Sequence, residues 1–311
     1  MAQAVESVLN QQTNFDVLLC LFDDASTDST FDIASRYGTR NRVRIRCEKN
    51  LVNLGAVKNV TRMLRFALAH VSPFVAFLEG DDYWTNPSKL QTQFDFLSAH
   101  PDFNICYHNA EVVYTDGSQQ SCLLVPPGQN PVSSIEDLFD GNFIPSASVM
   151  FRNRSFQDLP DWYSTSAIGD WPLHLMNAHT GKVGYLDRSM SVYRIHTGGM
   201  WSSRSELLKV SNVIDLLKKC NAYFNYKYDR QVQASLTKKY CHMSDLLEED
   251  GSLTQASIML TRKLKGDLAG YYRPSRGLVT RILRLQMKMK FPALYALARK
   301  FRRFVSSLKQ M

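Results

Sequence analysis

The chain has 311 residues, 44% of them hydrophobic, and a formal net charge of +8. This length allows one large domain with an appendage, but no apolar run approaches the roughly 18 residues of a membrane-spanning helix, and the N-terminus lacks the pattern of a signal peptide. The six scattered cysteines contain no CxxC pair, so we expect a cytoplasmic protein with reduced thiols rather than a disulfide framework or a zinc site.

The first third of the chain alternates between helical and strand-like patterns. Helices are predicted at 2–11, from Ser26 or Thr27 to 37, at 56–70 and at 87–99, and strands at 15–22, 43–47 and 73–78. This alternation is typical of an α/β fold built on a mainly parallel sheet. Ligands bind such sheets beyond the carboxyl ends of the strands.

The remainder of the chain divides into a mixed region and a helical region. In the mixed region, strands are predicted at 105–114, 146–152 and 183–196, and a helix at 170–179. From residue 203 onwards the pattern is helical, with breaks near Tyr226, Asp250 and Pro274. We therefore predict two domains, 1–202 and 203–311.

Carboxylates follow two of the predicted strands. The strand at 15–22 leads into Asp23 and Asp24, and the strand at 73–78 leads into Glu79, Asp81 and Asp82. Oxygen-only donors favour a hard divalent cation such as Mg²⁺ or Mn²⁺. The alternative is a pair of solvated acidic turns, each preceding a helix. Two clusters at the same edge of one sheet favour a nucleotide and metal site.

Six segments of the chain resemble the bacterial family 2 glycosyltransferases of the GT-A fold. They occur in the family's order over roughly the first 200 residues, and it is their combination that is specific. The segments are AVESVLNQ (4–11), FDDASTDST (22–30), NLGAVKNV (53–60), LEGDDYWTNPSKLQTQFDFL (78–97), GDWPLHL (169–175) and VYRIHTGGMWS (192–202).

The resemblance implies roles for the strand-end carboxylates. Residues 79–82 occupy the place of the family's Asp-x-Asp metal motif, with Glu79 where the family more commonly has Asp. Asp81 would lie near the ribose and the metal, and Asp82 would hold the metal, Mn²⁺ or Mg²⁺, against the donor diphosphate. Asp23 and Asp24 match the carboxylates that recognise the nucleotide, although helix capping and an acidic turn also explain this pair.

Asp170 is the candidate general base, since a positioned carboxylate can take the proton of an acceptor hydroxyl. The family carries an acidic residue here, at the start of a helix on the acceptor side. The alternative is that Asp170 only caps this helix, as Pro172 in its first turn also suggests. Trp171 either stacks on a sugar ring or packs in the core.

Three further residues have weaker candidate roles. The resemblance implies that His196 completes the metal shell, although a histidine after a strand is often structural. Arg194 is a candidate partner for the diphosphate or for the acidic cluster. Lys58 lies where the family often has Arg, and either faces the nucleotide or belongs to a solvated helix face.

The chain departs from the family at its beginning. Family members normally start with a strand and loop ahead of the helix that matches 4–11, whereas this chain starts at that helix. In the family, the strand lies beside the one that ends in Asp23 and Asp24. The resemblance therefore implies that a first strand is missing from the sheet, which predicts either a truncated sequence or an impaired protein.

Positive charge is concentrated in the last part of the chain. Residues 268–311 contain eleven Lys or Arg and no Asp or Glu, which leaves a net charge of −3 for the preceding 267 residues. Apolar and aromatic residues interleave with these cations, and Pro292 divides the segment into two predicted helices. This pattern predicts attachment to an anionic membrane surface. The alternative is a helix packed on the catalytic domain with its basic residues outwards, and no nucleic-acid partner is expected.

Together these features predict a metal-dependent inverting glycosyltransferase with a GT-A domain at 1–202 and a helical region at 203–311. The donor would be a nucleotide-diphosphate sugar and the acceptor a glycan or lipid-linked glycan, by the family's habits in surface polysaccharide synthesis. One alternative is an impaired homologue that binds a membrane or a protein partner. The other is a sugar nucleotidyltransferase, which would require a Gly-rich phosphate loop near its start.

Overall fold

The structure is a computed structural model that describes residues 1–40, 42–69, 72–153, 158–196, 198–199, 201–270, 272 and 275–295. The chain divides into two compact units, Met1–Ser203 and Arg204–Met311. Among the described residues, no helix combines the length and the apolarity needed to cross a bilayer.

The first unit alternates helices and strands. Its helices are α1 (Ala2–Leu9), α2 (Thr30–Ser35), α3 (Ala56–Ala69), α4 (Lys89–Ala99), α5 (Ile135–Asp140) and α6 (Asp170–Ala178). Its strands are β1 (Val17–Asp23), β2 (Val43–Lys49), β3 (Phe74–Ala76), β4 (Tyr83–Trp84), β5 (Phe103–Tyr114), β6 (Cys122–Leu123), β7 (Val132–Ser133), β8 (Met150–Arg152) and β9 (Lys182–Ile195). The predicted elements are present within a few residues, except that the strand expected at 146–152 begins as a short 3-10 helix, Ser146–Ser148.

The strands of the first unit form two sheets. β1 and β2 make a parallel two-stranded sheet, and the others make a mixed sheet in the order β3-β8-β5-β9-β4, with β6 beside β5 and β7 beside β9. The predicted α/β fold with a mixed sheet is confirmed. Parallel pairing is less frequent than predicted, because among the described strands only β1–β2 and β5–β9 are parallel. The short strands β4, β7 and β8 all run against the longer strand that they pair with.

The long parallel pair of β5 and β9 forms the centre of the mixed sheet. Nearly the whole length of β5 is buried, as expected for a strand with neighbours on both sides and covered faces. A register shift where His108 and Asn109 pair with β9 interrupts the ladder. Beyond it, β9 continues to Ile195 and pairs with β4. This end of β9 therefore lies beside the residues that connect β3 to β4.

The two sheets meet in one apolar cluster. Side chains of β1, including Leu19 and Leu21, pack in the same cluster as Phe74 and Ala76 of β3. Among the described residues, β1 pairs only with β2 and β3 only with β8. The sequence-based expectation of a strand missing beside β1 stays a prediction.

The second unit is helical, as the pattern from residue 203 predicts. It contains α7 (Glu206–Tyr223), α8 (Asp229–Glu249), α9 (Leu253–Ala269) and α10 (Arg276–Lys290). The hydroxyl of Ser275 caps α10 by accepting a hydrogen bond from the backbone N–H of Leu278 (3.1 Å), which fits the preference for serine at this position. Leu278, Ile282 and Leu285 bury one face of α10 against a cluster that includes Leu260.

Several cations of the predicted basic tail are already paired within this unit. Arg281 pairs with Asp245 of α8, and both Arg284 (2.6 Å) and Lys288 (3.0 Å) pair with Glu248. The pattern of α10 alone did not reveal these carboxylates, which lie 36 to 40 residues earlier in the chain. The three cations are therefore less available to an anionic surface than the sequence predicted. The helix expected after Pro292 lies mostly at 296–311, outside the described residues.

Candidate active site

The three carboxylates of Glu79, Asp81 and Asp82 lie together in the connection between β3 and β4. One oxygen from each side chain lies within 4.8 Å of the others. The backbone N–H of Asp82 donates to the carbonyl of Glu79 (3.1 Å), which closes the turn that gathers them. Asp82 leads directly into β4, and β4 pairs with β9. The acidic group is therefore held at the edge of the sheet by backbone hydrogen bonds on either side of it.

The side chain of Trp84 anchors β4 in the core. Its indole is 7% exposed, and its Nε1–H donates to the carbonyl of Ala147 (2.8 Å). The ammonium of Lys89 lies 3.9 Å from the centroid of the indole ring, a favourable cation–π contact. Because Trp84 lies two residues after Asp82, its burial also restricts where the Asp82 carboxylate can point.

Asp82 is fully buried, and one of its two oxygens lacks a partner. Its Oδ1 accepts a hydrogen bond from the backbone N–H of Arg194 on β9 (2.9 Å), whereas Oδ2 has no hydrogen-bond partner among the described residues. Burial raises the pKa of Asp82 to about 7, against the lowering effect of the bond from Arg194. An unpartnered buried carboxylate oxygen is costly, and a cation would remove that cost.

Glu79 stays accessible to solvent, but the surrounding protein and its acidic neighbours disfavour its charged form. Desolvation, followed by the charges of Asp82, Asp170 and Asp81, raises the pKa of Glu79 to about 8. The charge of Asp170 therefore reaches the acidic group, although α6 lies some 90 residues later in the chain. The predicted base and the predicted metal motif share one electrostatic environment.

His196 and Arg194 both contact Asp81. The His196 Nε2 lies 3.0 Å from Asp81 Oδ2, and the guanidinium of Arg194 donates to the Asp81 carbonyl (2.8 Å). Arg194 also bonds Gln3 and lies 4.6 Å above the ring of Tyr83. The structure thus brings both residues to the acidic group. The metal role of His196 and the diphosphate role of Arg194 stay predictions.

Asp23 and Asp24, at the end of β1, differ in the number of groups that donate hydrogen bonds to each carboxylate. Asp23 Oδ1 accepts one bond from the backbone N–H of Ser26 (3.0 Å). Asp24 accepts from the side chain of Asn50 (2.7 Å) and from the backbone N–H groups of Leu54 and Gly55 (both 2.8 Å). Asp24 therefore holds the loop at 50–55, and neither carboxylate caps a helix by a side-chain hydrogen bond.

The loop that Asp24 holds leads into α3 and Lys58. Gly55 has a left-handed backbone, with φ of 83°, which glycine adopts without the steric cost that other residues bear. Lys58 is exposed on the first turn of α3, and no described residue forms a hydrogen bond or ion pair with it. Its predicted contact with a nucleotide stays a prediction.

Asp170, the first residue of α6, does not cap that helix. Gly169 occupies the cap position, and no side chain caps the helix by a hydrogen bond. Instead, Asp170 Oδ2 accepts from Asn142 Nδ2 (2.8 Å) and Ser146 Oγ (3.4 Å). Its Oδ1 accepts no hydrogen bond from the described residues, so this oxygen remains available to a ligand. The capping alternative is therefore wrong.

The predicted acceptor contact of Trp171 is wrong. Trp171 is 5% exposed and its indole N–H donates to the carbonyl of Leu138 in α5 (2.9 Å). The ring packs in the core and cannot stack on a sugar. Asp170 is the one residue of α6 that is not buried, and the side chain of Trp171 points elsewhere because successive helical residues point about 100° apart.

Sequence reasoning missed the residues that position Asp170. Asn142 and Ser146 lie in the segment between α5 and β8, which has no motif. Asn142 also contacts the buried His174, whose pKa burial lowers to about 4. Tyr193 is a further missed residue, since desolvation and the charges of the acidic group raise its pKa to about 12. Tyr193 lies within segment 192–202, which resembles the family, so its place in that segment could have identified it as a site residue.

The donor set of the acidic group fits a divalent cation. Three carboxylates supply oxygen ligands only, as Mg²⁺ and Mn²⁺ prefer. Burial, with the neighbouring carboxylates adding to it, raises the pKa values of Asp82 and Glu79, and Asp82 Oδ2 has no hydrogen-bond partner among the described residues, so the group holds negative charge that a cation would compensate. Residues 79, 81 and 82 can therefore hold such an ion.

Comparison with protein families agrees with this geometry. Residues 1–159 match the family described as Glycosyl transferase family 2. The matched range contains the acidic group and both carboxylates at the end of β1, while Asp170 and His196 lie beyond it.

Three relatives illustrate the range of similarity. The chain is 35% identical over 202 residues to an uncharacterized protein of Mycobacterium tuberculosis (strain ATCC 25618 / H37Rv). The aligned residues cover 65% of this chain and 56% of that protein's length. It is 25% identical over 226 residues to EpsE of Bacillus subtilis (strain 168), named as a glycosyltransferase, covering 71% of this chain and 77% of EpsE. It is 35% identical over 100 residues to WfaP of Escherichia coli, named as a UDP-Glc:alpha-D-GlcNAc-diphosphoundecaprenol beta-1,3-glucosyltransferase. This match covers 32% of this chain and 36% of WfaP.

The raised pKa of Glu79 predicts a pH-dependent stability in metal-free buffer. In the folded protein Glu79 keeps its proton up to about pH 8, whereas in the unfolded chain it releases the proton near its ordinary value of 4.5. The native state therefore binds more protons over this interval, so the free energy of unfolding falls as the pH rises. Asp82 contributes in the same direction.

We expect Glu79→Gln to lose less stability than the wild type between about pH 5 and about pH 8, measured by urea unfolding with EDTA. Glu111→Gln, on an exposed position of β5, is the matched control and should follow the wild type. A pH dependence as steep in Glu79→Gln as in the wild type would contradict the electrostatic account of the acidic group.

Proposed function

Because the chain belongs to glycosyl transferase family 2, we propose that it transfers a sugar from a nucleotide-diphosphate donor to an acceptor hydroxyl with inversion at the anomeric carbon. The observation that carries this proposal is the acidic group at residues 79, 81 and 82 with an unpartnered buried oxygen on Asp82. The charge of Asp170 acts on the same group. A metal-binding edge and a nearby carboxylate are the two components that this reaction requires.

The proposed metal ion is Mn²⁺ or Mg²⁺, held by Asp82 with Asp81 and Glu79. When bound, such an ion neutralises negative charge on the leaving diphosphate. His196 contacts the Asp81 carboxylate and orients it, and Arg194 donates to the backbone carbonyl of Asp81. In this proposal Asp81 and Asp23 accept hydrogen bonds from the ribose and base, Lys58 adds a positive charge on the nucleotide side, and Asp24 shapes the loop at 50–55.

In the proposed reaction Asp170 takes the proton of the acceptor hydroxyl through its free Oδ1. The acceptor oxygen then forms a bond to the anomeric carbon, and the bond from that carbon to the diphosphate oxygen breaks, its electron pair leaving with the diphosphate. Asn142 and Ser146 donate to Asp170 Oδ2, which fixes the carboxylate with its other oxygen turned outwards. A base held in this way contributes typically 10²–10⁴-fold to the rate.

We propose UDP-sugars as the first donors to test, because the name of WfaP specifies UDP-Glc and a diphosphoundecaprenol acceptor. By the same comparison the acceptor class is a lipid-linked glycan, and the pathway is surface polysaccharide assembly. WfaP matches a third of this chain, and the mycobacterial relative is matched over about half its length. The donor, the acceptor and the linkage are therefore proposals for this chain.

Replacing the proposed base should separate chemistry from binding. We expect Asp170→Asn to lower the rate of nucleoside diphosphate release from a UDP-sugar by about 10²-fold or more, with water as the acceptor. Binding of the nucleoside diphosphate should stay within about twofold of the wild type, because Asp170 does not contact it in the proposed reaction.

The matched control is Asp161→Asn, an exposed carboxylate in the 3-10 helix ahead of α6, which should keep the wild-type rate. Release from Asp170→Asn at the wild-type rate would contradict the role of Asp170. Failure of the wild-type chain to release nucleoside diphosphate from any of a panel of nucleotide sugars would contradict the proposed function itself.

We also propose that α10 attaches the protein to the cytoplasmic face of an anionic membrane. The face of α10 opposite its buried residues is apolar and exposed. It is lined by Val279, Leu283 and Met287, and the exposed Phe291 and Leu294 follow just beyond the end of α10. The four-residue spacing places the first three in one stripe, and the chain continues into 296–311 with five further cations. Because Arg281, Arg284 and Lys288 of α10 pair with carboxylates of α8, the apolar stripe makes the membrane contact in this proposal.

Acidic substitutions in this stripe should weaken binding to vesicles. We expect Leu283→Glu with Met287→Glu to reduce co-sedimentation with phosphatidylglycerol–phosphatidylcholine vesicles by about tenfold, since two apolar contacts are lost and negative charge is added. Leu207→Glu, an exposed leucine on α7, is the control and should bind as the wild type does. Equal loss in both variants, or no loss in either, would contradict the membrane role of α10.

A further inference from the structure

The helical unit contains a cavity that the proposed glycosyl transfer does not use. It has a volume of about 880 Å³, within the range of small-molecule sites. It is lined by side chains from α7, α8, α9 and the turn after α7. The residues that matter for its chemistry are Lys218, Tyr226, Ile258, Met259 and Arg262.

The charge of this cavity is positive. Lys263 and Asp267, which also line it, form a buried ion pair, with Lys263 bonded to Gln233 as well (2.9 Å). These two charges cancel each other. Lys218 and Arg262 have no carboxylate partner among the described residues, so a net charge of two positive groups faces the cavity. An anion placed between them would be held by charge-assisted hydrogen bonds.

The lining also contains apolar side chains that are partly open to solvent, together with Gln233 and Gln255. Ile258 is 48% exposed and Tyr226 is 64% exposed, and Met259 of α9 also lines the cavity. Large apolar side chains beside free cations suit a ligand that carries an apolar group next to its anionic group. The last segment of this chain is a poor occupant, because 296–311 contains five Lys or Arg and no Asp or Glu and would be repelled by Lys218 and Arg262.

We propose that this cavity binds a phosphate ester with an apolar substituent. Lys218 and Arg262 hold the phosphate, and Ile258, Met259 and Tyr226 contact the apolar part. Such a phosphate comes either from a lipid or from a nucleotide, and the apolar lining favours the lipid. The inference does not rest on glycosyl transfer, because every lining residue belongs to the second unit.

Calorimetric titration of the full chain with four soluble probes tests this proposal. The probes are dihexanoyl phosphatidate below its micellar concentration, glycerol 3-phosphate, dihexanoyl glycerol and UMP. We expect phosphatidate to bind at least about tenfold more tightly than glycerol 3-phosphate, which lacks the chains, and than dihexanoyl glycerol, which lacks the charge. Tighter binding of UMP than of phosphatidate at this cavity would overturn the assignment to a lipid phosphate.

Variants locate the binding site. Arg262→Gln and Ile258→Glu, both at exposed positions that tolerate substitution, should each weaken phosphatidate binding about tenfold or more. The matched controls are Arg230→Gln, an exposed cation of α8, and Leu207→Glu, an exposed leucine of α7, and both should bind as the wild type does. Undetectable binding of phosphatidate to the wild type would overturn the proposal. Binding that survives both cavity variants would do so as well.

Discussion

Negative charge concentrated at the edge of a sheet is the constraint on which the first unit depends. Asp82 is fully buried at the start of β4, with Glu79 and Asp81 beside it. The pKa values of Asp82 and Glu79 are raised to about 7 and about 8 because burial and mutual repulsion disfavour ionisation. A fold keeps such a cluster at the expense of stability, which is typical of sites where charge is needed for a ligand.

The surrounding structure restricts the carboxylates without neutralising them. The backbone N–H of Arg194 binds one oxygen of Asp82 and leaves the other free, and the indole of Trp84 fixes the strand that follows. In α6, Asn142 and Ser146 hold one oxygen of Asp170, and its other oxygen accepts no hydrogen bond from the described residues. The protein therefore orients both carboxylates through one oxygen and leaves the other oxygen without a hydrogen bond from the described residues. For the proposed function, this arrangement would be preorganisation of the kind that lowers a reaction barrier.

Local features of the site were predictable from the sequence, and distant ones were not. The acidic group lies within four residues after an apolar strand, so its position and chemistry follow from strand geometry. Asn142 lies in a segment without periodicity, and only the folded chain brings it to Asp170. The burial of Trp171 depends on the carbonyl of Leu138 in another helix, and the pairing of Arg284 depends on Glu248 of α8. Side-chain partners of this kind are set by tertiary packing, which single-sequence patterns do not contain.

For the fold too, local features were predictable from the sequence and distant pairings were not. Helices and strands follow from hydrophobic period and turn residues, which explains the agreement for α3 and β9. The direction of short strands such as β4 does not follow from those signals, because two or three residues carry too little pattern to decide which neighbour they pair with. The number of antiparallel pairings in the mixed sheet was underestimated for this reason.

The most direct test of the account is a titration of Mn²⁺ binding followed by electron paramagnetic resonance of the free ion. With UDP present, the wild type should bind a single Mn²⁺ ion, and Asp82→Asn should weaken that binding about tenfold or more, because the buried oxygen and its charge are lost. Asp102→Asn, an exposed carboxylate that pairs with Lys182, should leave it unchanged. Mn²⁺ binding that is absent in the wild type, or indifferent to Asp82→Asn, would contradict the claim that the acidic group is a metal site.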